Sequence, residues 1–176
     1  MSTTVVPGNG LVNDRWTMGH GVKQRDLIRM SGAEVDQFLR GRQTAVLSSI
    51  SSDGAIHSVA MWYGFLEGAI AFETKARSQK VQNLRRNPNL TFIVESGQTY
   101  DELRGVVLVG RAEIVEEKER IWTLGVSVFE RYHAPYTEDR RAEVEAILNK
   151  RVVIKLLVDR QMSWDHRKLR RPEEVR

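Results

Sequence analysis

The stretch TAVLSSISSDGAIHSVAMWYGFLEGAIAFET, Thr44–Thr74, decides the fold. Thr44–Ile50 is rich in β-formers and reads as a strand. SSDG, Ser51–Gly54, ends in Asp-Gly, a pair that tolerates the backbone of a tight hairpin turn. Ala55–Phe65 is the returning strand, Glu67-Gly68 makes a second turn, and Ala69–Thr74 is a third strand. Strands that follow one another through hairpins pair antiparallel, so this segment is a β-meander.

Working outward, residues 1–24 are polar and Gly-rich and read as a flexible N-terminal arm. Ser31 and Glu34 form the S-x-x-E pattern that caps a helix start, with Val35, Phe38 and Leu39 on one face. Beyond the meander, a helix from Ser78 to Arg86 turns Val81 and Leu84 to the core and ends before Pro88. Leu90–Ser96 is a fourth strand and Leu103–Glu116 a fifth, in which Gly110 marks a bend or bulge. Two helices follow. The first carries Ile121, Leu124, Val128 and Phe129 at helical spacing; the second is capped by Thr137 and buries Val144, Ile147 and Leu148. Arg151–Trp164 is the last strand. Six antiparallel strands in one chain of 176 residues remove their exposed edges most simply by closing into a barrel. The fold class is therefore mainly β with helices, α+β. Residues 25–169 form the domain and 170–176 a charged tail.

Composition narrows the function. Hydrophobic residues make up 41% and charged residues 28%, a globular balance. No apolar run approaches the roughly 20 residues of a membrane span, and the N-terminus does not read as a secretory signal. There is no cysteine, which excludes disulfides and thiolate metal sites. A cytoplasmic protein is the economical reading. The net charge of +4 is mild and mixed along the chain, without the basic stripe of a nucleic-acid binder. A small acidic ligand explains a local cationic cluster as well.

Such a cluster lies where the third strand hands over to a helix. Thr74, Lys75, Arg77, Ser78 and Lys80 occur within seven residues. The first N–H groups of a helix lack internal partners and carry the positive end of its dipole, which makes a general anion site. Arg77 and Lys80, three apart, share a helical face. Arg77 can offer a bidentate fork and Lys80 a point charge; Thr74 and Ser78 add hydroxyls. The plain alternative is a set of solvated surface cations.

Together, TAVLSSISSDGAIHSVAMWYGF and AFETKARSQKVQNLRRNPNLTFIVE resemble the pyridoxamine-phosphate-oxidase-like family of split β-barrels. Its members pair such a hairpin with a T-x-x-R-S-x-K type segment and a helix closing in N-P or D-P. Here these are Thr74, Arg77, Ser78 and Lys80, with Asn87-Pro88. VSVFERY (Val126–Tyr132), NKRV (Asn149–Val152) and SWDHRKL (Ser163–Leu169) resemble the branch that uses the deazaflavin coenzyme F420. The resemblance implies a six-stranded split barrel of the FMN-binding type, working as a homodimer on a small-molecule substrate with a flavin-type cofactor between subunits. It places the cofactor phosphate against Thr74, Arg77, Ser78 and Lys80, Lys75 near a larger acidic tail, and Ser58, Val59, Met61 and Trp62 beside the ring. It also brings Trp164 and Arg167 toward the partner subunit's cofactor. The structural alternative packs Trp164 on the barrel and pairs Asp165 with Arg167. The activity implied is hydride transfer by an F420-dependent oxidoreductase. FMN is the alternative cofactor, and a non-catalytic flavin or haem carrier the alternative class. Flavin-using relatives often carry an arginine and a lysine on the strand matching HSVAMWYG; this chain carries neither, which argues against a standard pyridoxamine-phosphate oxidase.

Other chemistries find little support. His20, His57, His133 and His166 make no H-x-x-x-H pair. No serine sits in a G-x-S-x-G elbow, and GNG and GHG lack the strand and helix of a dinucleotide fingerprint. Trp62, Tyr63 and Phe65 read chiefly as barrel packing. Arg85 and Arg86 read as solvated cations at a helix C-terminus.

Overall fold

A computed structural model describes residues 24–41 and 44–169; most of the arm at 1–24 and the tail at 170–176 lie outside the described residues. Seven strands form one antiparallel sheet: β1 (Ala45–Ile50), β2 (Ile56–Met61), β3 (Gly64–Leu66), β4 (Ala69–Lys75), β5 (Asn89–Ser96), β6 (Arg104–Val115) and β7 (Arg151–Asp165). Their order is β2-β1-β5-β6-β7-β4-β3. β2 and β3 thus lie on opposite edges, yet only Trp62 and Tyr63 separate them. Three residues of chain span at most about 11 Å, so the two edges approach each other and the sheet curls into a split barrel. The count is seven because the run Ala55–Phe65 breaks at this crossing.

The turns follow from local chemistry. Gly54 takes φ 84°, and Glu67 and Gly68 take φ 53° and 78°, the left-handed pair that a two-residue hairpin requires. At Gly110 the β6–β7 register slips. A Cβ there would come within 2.1 Å of the Leu157 carbonyl oxygen, so only glycine fits this approach.

Alternation fills the barrel. Leu47, Phe72, Phe92, Leu108, Ile154 and Leu156 point inward and are almost fully buried. α2 (Gly32–Arg40) adds Val35, Phe38 and Leu39 to this core, and its Ser31–Glu34 capping box is formed. α1 (Gln24–Leu27) buries nothing. α3 (Gln79–Arg86) contributes Val81 and Leu84. A second, smaller core packs α4 (Lys118–Tyr132) on β3, β4 and β7 through Leu124, Val128, Leu66, Ala71 and Val153. α5 (Arg141–Leu148) leans on α4 where Gly125 leaves room for Leu148. Thr137, the expected cap, makes no side-chain cap bond and opens a 3-10 turn instead, so α5 starts at Arg141. Arg85 and Arg86 are exposed as expected, yet engaged: Arg85 pairs with Glu116, and Arg86 donates to the Ile50 carbonyl at 2.8 Å.

The outer face of β1 and β2 stays open. Val46, Ile50 and Ile56 are exposed, Ile56 at 76%. Ile50 pairs with Ile56, and Val46 with Ala60 and Ile93, two apolar groups on one face with the Ser48–Ser58 pair between them.

Candidate functional site

The strand–helix junction gathers part of the expected cluster. Ala76 N–H donates to the Lys150 carbonyl at 3.0 Å and Ser78 N–H to the Lys75 carbonyl at 2.9 Å, which fixes the turn between β4 and α3. Ser78 occupies the cap position but its hydroxyl makes no cap bond. That hydroxyl instead lies 3.4 Å from the Thr74 hydroxyl, to which Lys80 Nζ donates at 3.0 Å. Thr74, Ser78 and Lys80 therefore converge, and the first N–H groups of α3 keep no side-chain acceptor of their own. Burial, helped by the charge of Arg151, holds Lys80 below the ordinary lysine range.

Lys75 and Arg77 stand apart from these three. Lys75 Nζ donates to the Asn149 carbonyl at 2.7 Å, just past α5. Arg77 is exposed and makes no hydrogen bond or ion pair among the described residues.

Two residues not singled out in the sequence complete the neighbourhood. Glu73 alternates to the face of β4 opposite Phe72 and Thr74, where it is only 7% exposed. Arg151, which opens β7, donates from Nε to the Ile147 carbonyl at 2.6 Å and from Nη1 to the Glu73 carbonyl at 3.4 Å. Its Nη1 lies 3.7 Å from Glu73 Oε1, and Glu73 Oε2 is buried with no partner among the described residues. Burial pushes the Glu73 carboxyl above its usual range, with Arg151 pulling less strongly the other way. The usable sequence signal was alternation: Ala69, Ala71 and Glu73 share one face, so an acid falls on a surface of alanines.

Glu73 and Arg151 line an open cavity of about 480 Å³. The end of β2 and the crossing supply Ala60, Met61 and Trp62; α4 supplies Gly125, Val128 and Phe129; His133, Ile147 and Thr44 close it. Trp62 is 46% exposed and lies parallel to Tyr132 at 4.6 Å, with His133 edge-on at 5.5 Å. The Tyr132 hydroxyl accepts from Tyr63 N–H at 3.4 Å. Tyr63 is fully buried and donates to the Leu39 carbonyl at 2.7 Å, where Arg131 also donates at 2.7 Å. The crossing segment that carries Trp62 is thus clamped between α2 and α4.

The remaining expected residues fall elsewhere in the chain. Val59 packs against the barrel core. Ser58 faces outward, its hydroxyl 2.8 Å from that of Ser48. Trp164 lies over Gly105, where a Cβ would sit 2.4 Å from the ring. Arg167 forks onto the buried Asp165 carboxylate at 2.6 and 2.8 Å, which holds Asp165 below its usual range. Trp164 stands 13 residues along β7 from Arg151, and the contacts that Trp164 and Arg167 make, with Gly105 and Asp165, are not with Thr74, Ser78 or Lys80. His57 presents a buried Nδ1 without a partner. Among the described residues no group of three or more acidic or histidine side chains could hold a metal, and no helix is long and apolar enough to cross a membrane.

A curled antiparallel sheet with an anion-suited junction at the end of β4 defines the flavin-binding type of split barrel. The family described as Pyridoxamine 5'-phosphate oxidase matches residues 31–165, and the chain belongs to that family. A solved structure of a conserved hypothetical protein, Rv2991 from Mycobacterium tuberculosis, is 50% identical, with a TM-score of 0.81 over 86% of this chain and 94% of that one. An F420 reductase is 21% identical, with a TM-score of 0.55 over 72% of this chain and 94% of its own. The heme storage protein HutZ from Vibrio cholerae is 13% identical, with a TM-score of 0.60 over 76% and 93%. The latter two likenesses speak for the fold alone. No curated protein matches.

Proposed function

We propose that this protein is an oxidoreductase that binds deazaflavin coenzyme F420 and acts as a homodimer on an unsaturated small molecule. The observation that carries the reading is the convergence of Lys80, Thr74 and Ser78 on the uncapped first turn of α3. Two hydroxyls, a lysine and the N–H groups of Gln79 and Lys80 that open α3 suit a phosphoryl oxygen set. A phosphate there would replace the Thr74 oxygen as the acceptor for Lys80. Arg77, exposed and without a hydrogen bond or ion pair among the described residues, can swing toward the same anion, and Lys75 follows Thr74 directly at the end of β4 for a longer acidic tail.

Met61 and Trp62 wall the cavity that Glu73 and Arg151 line and suit the flat ring of the cofactor. When bound, the deazaflavin supplies the hydride. The chain's own share is to hold the phosphate, orient the ring against Trp62 and exclude water. β2 carries no arginine or lysine, which favours the deazaflavin over FMN within this family.

The homodimer reading rests on the apolar patch of Val46, Ile50 and Ile56, a face that a second copy would cover. In such a dimer the resemblance would assign Trp164 and Arg167, at the far end of β7, to the other subunit's site.

Parallel titrations with F420 and FMN, followed by intrinsic fluorescence, test the reading. Micromolar binding of F420 and weaker binding of FMN are expected. Preferential FMN binding overturns the cofactor choice, and tight binding without reduction of any unsaturated substrate overturns the enzyme reading.

A further inference from the structure

The cavity behind the phosphate junction has a chemical polarity that the cofactor reading does not use. Its walls are apolar, from Ala60, Val128, Phe129 and Ile147. Its polar end is the Glu73 carboxyl and the Arg151 guanidinium, 3.7 Å apart and so not hydrogen-bonded through the carboxylate. Glu73 Oε2 has no partner although the residue is 93% buried, the complement of its 7% exposure. Arg151 uses Nε and Nη1 on carbonyls, while its Nη2 has no hydrogen bond among the described residues. A buried orphan oxygen and a spare guanidinium edge facing one cavity are what a ligand headgroup would satisfy.

The surrounding charge selects the sign of that headgroup. Arg151 comes from β7 and His133 stands at the end of α4; α5 contributes only the apolar Ile147. Against these stands one carboxyl, Glu73. A ligand cation would meet Arg151. An anion would meet it favourably, provided Glu73 carries its proton and donates it in a hydrogen bond.

We propose that this cavity binds a flat apolar carboxylate, with Arg151 pairing its charge and Glu73 donating a hydrogen bond to its second oxygen. Binding is then coupled to proton retention on Glu73. Glu73, raised by burial, is protonated below its native value and competes for Arg151 above it. Affinity therefore falls with rising pH. This deepens the cofactor reading, on which it rests: the carboxylate takes the Glu73–Arg151 end of the same cavity whose Met61–Trp62 wall is assigned to the ring, and naphthoate is titrated with no cofactor added.

The test uses the full-length chain and naphthoate, a flat aromatic carboxylate, titrated by fluorescence over a pH range in which naphthoate stays ionised. Binding should weaken by about tenfold per pH unit above the Glu73 titration. Glu73→Gln, whose amide still donates, should keep binding and lose the pH dependence. Arg151→Gln should weaken binding about 10- to 100-fold, the loss of a charge-assisted hydrogen bond. Absence of naphthoate binding, preference for the cationic naphthamidine, or a pH dependence that persists in Glu73→Gln each overturns the proposal. F420 titrated in the same buffers separates the two readings: F420 binding without naphthoate binding removes only this one.

Discussion

Replacing Glu73 by glutamine should change how stability depends on pH. Glu73 is buried, its Oε2 is unpaired, and its single cationic neighbour stands 3.7 Å away. Leaving a buried polar group without a partner costs about 1–3 kcal/mol, more if it is charged. The carboxyl is pushed above its ordinary value of 4.5 by burial. The folded state therefore binds more protons than the unfolded chain between that value and the raised native one. Stability falls as pH rises through this window and is level beyond it. The amide of Glu73→Gln does not titrate. Urea unfolding of both proteins, at matched concentration between about pH 4.5 and pH 8, reads the difference, in which all other titrating groups cancel. The wild type should lose about 1–3 kcal/mol relative to the variant as pH rises. A difference that stays constant across this range would refute the claim that the carboxyl is buried without adequate compensation.

Three further outcomes follow from the packing. Tyr63→Phe should cost about 1 kcal/mol in urea unfolding, because the hydrogen bond to Leu39 is lost while Arg131 still satisfies that carbonyl; a loss above about 3 kcal/mol would mean the carbonyl is orphaned. Gly105→Val should destabilise by about 1–3 kcal/mol through overpacking, since its Cβ would enter the Trp164 ring, and the change in Trp fluorescence should accompany it. Ile56→Lys, at the most exposed apolar position of the outer face, should convert a dimer into a monomer by light scattering, and an unchanged mass would move the interface elsewhere.

Much of this fold was legible because its signals are local. Asp53-Gly54 and Glu67-Gly68 announce turns through backbone conformation alone, and the Ser31–Glu34 box forms as spelled. Gly110 was legible because a glycine inside a β-rich run reports a close approach. The break at Trp62–Tyr63 was not, since the residues on both sides favour strands and nothing local records that the chain changes edges. The site divides the same way. Spacing placed Thr74, Ser78 and Lys80 at a helix start, and they do converge there. Spacing carried no information on where long side chains find partners, so Lys75 turns to Asn149 and Arg77 to solvent. Glu73 and Arg151 are 78 residues apart and meet only through the β4–β7 pairing, which sets Lys75 opposite Arg151.

The affinity of F420 for the wild type and for Lys80→Ala tests the phosphate junction most directly. The junction requires micromolar binding by the wild type and a loss of about 1.5–3 kcal/mol in the variant, roughly 10- to 100-fold. Equal affinity in the two proteins, or no binding by either, would contradict it.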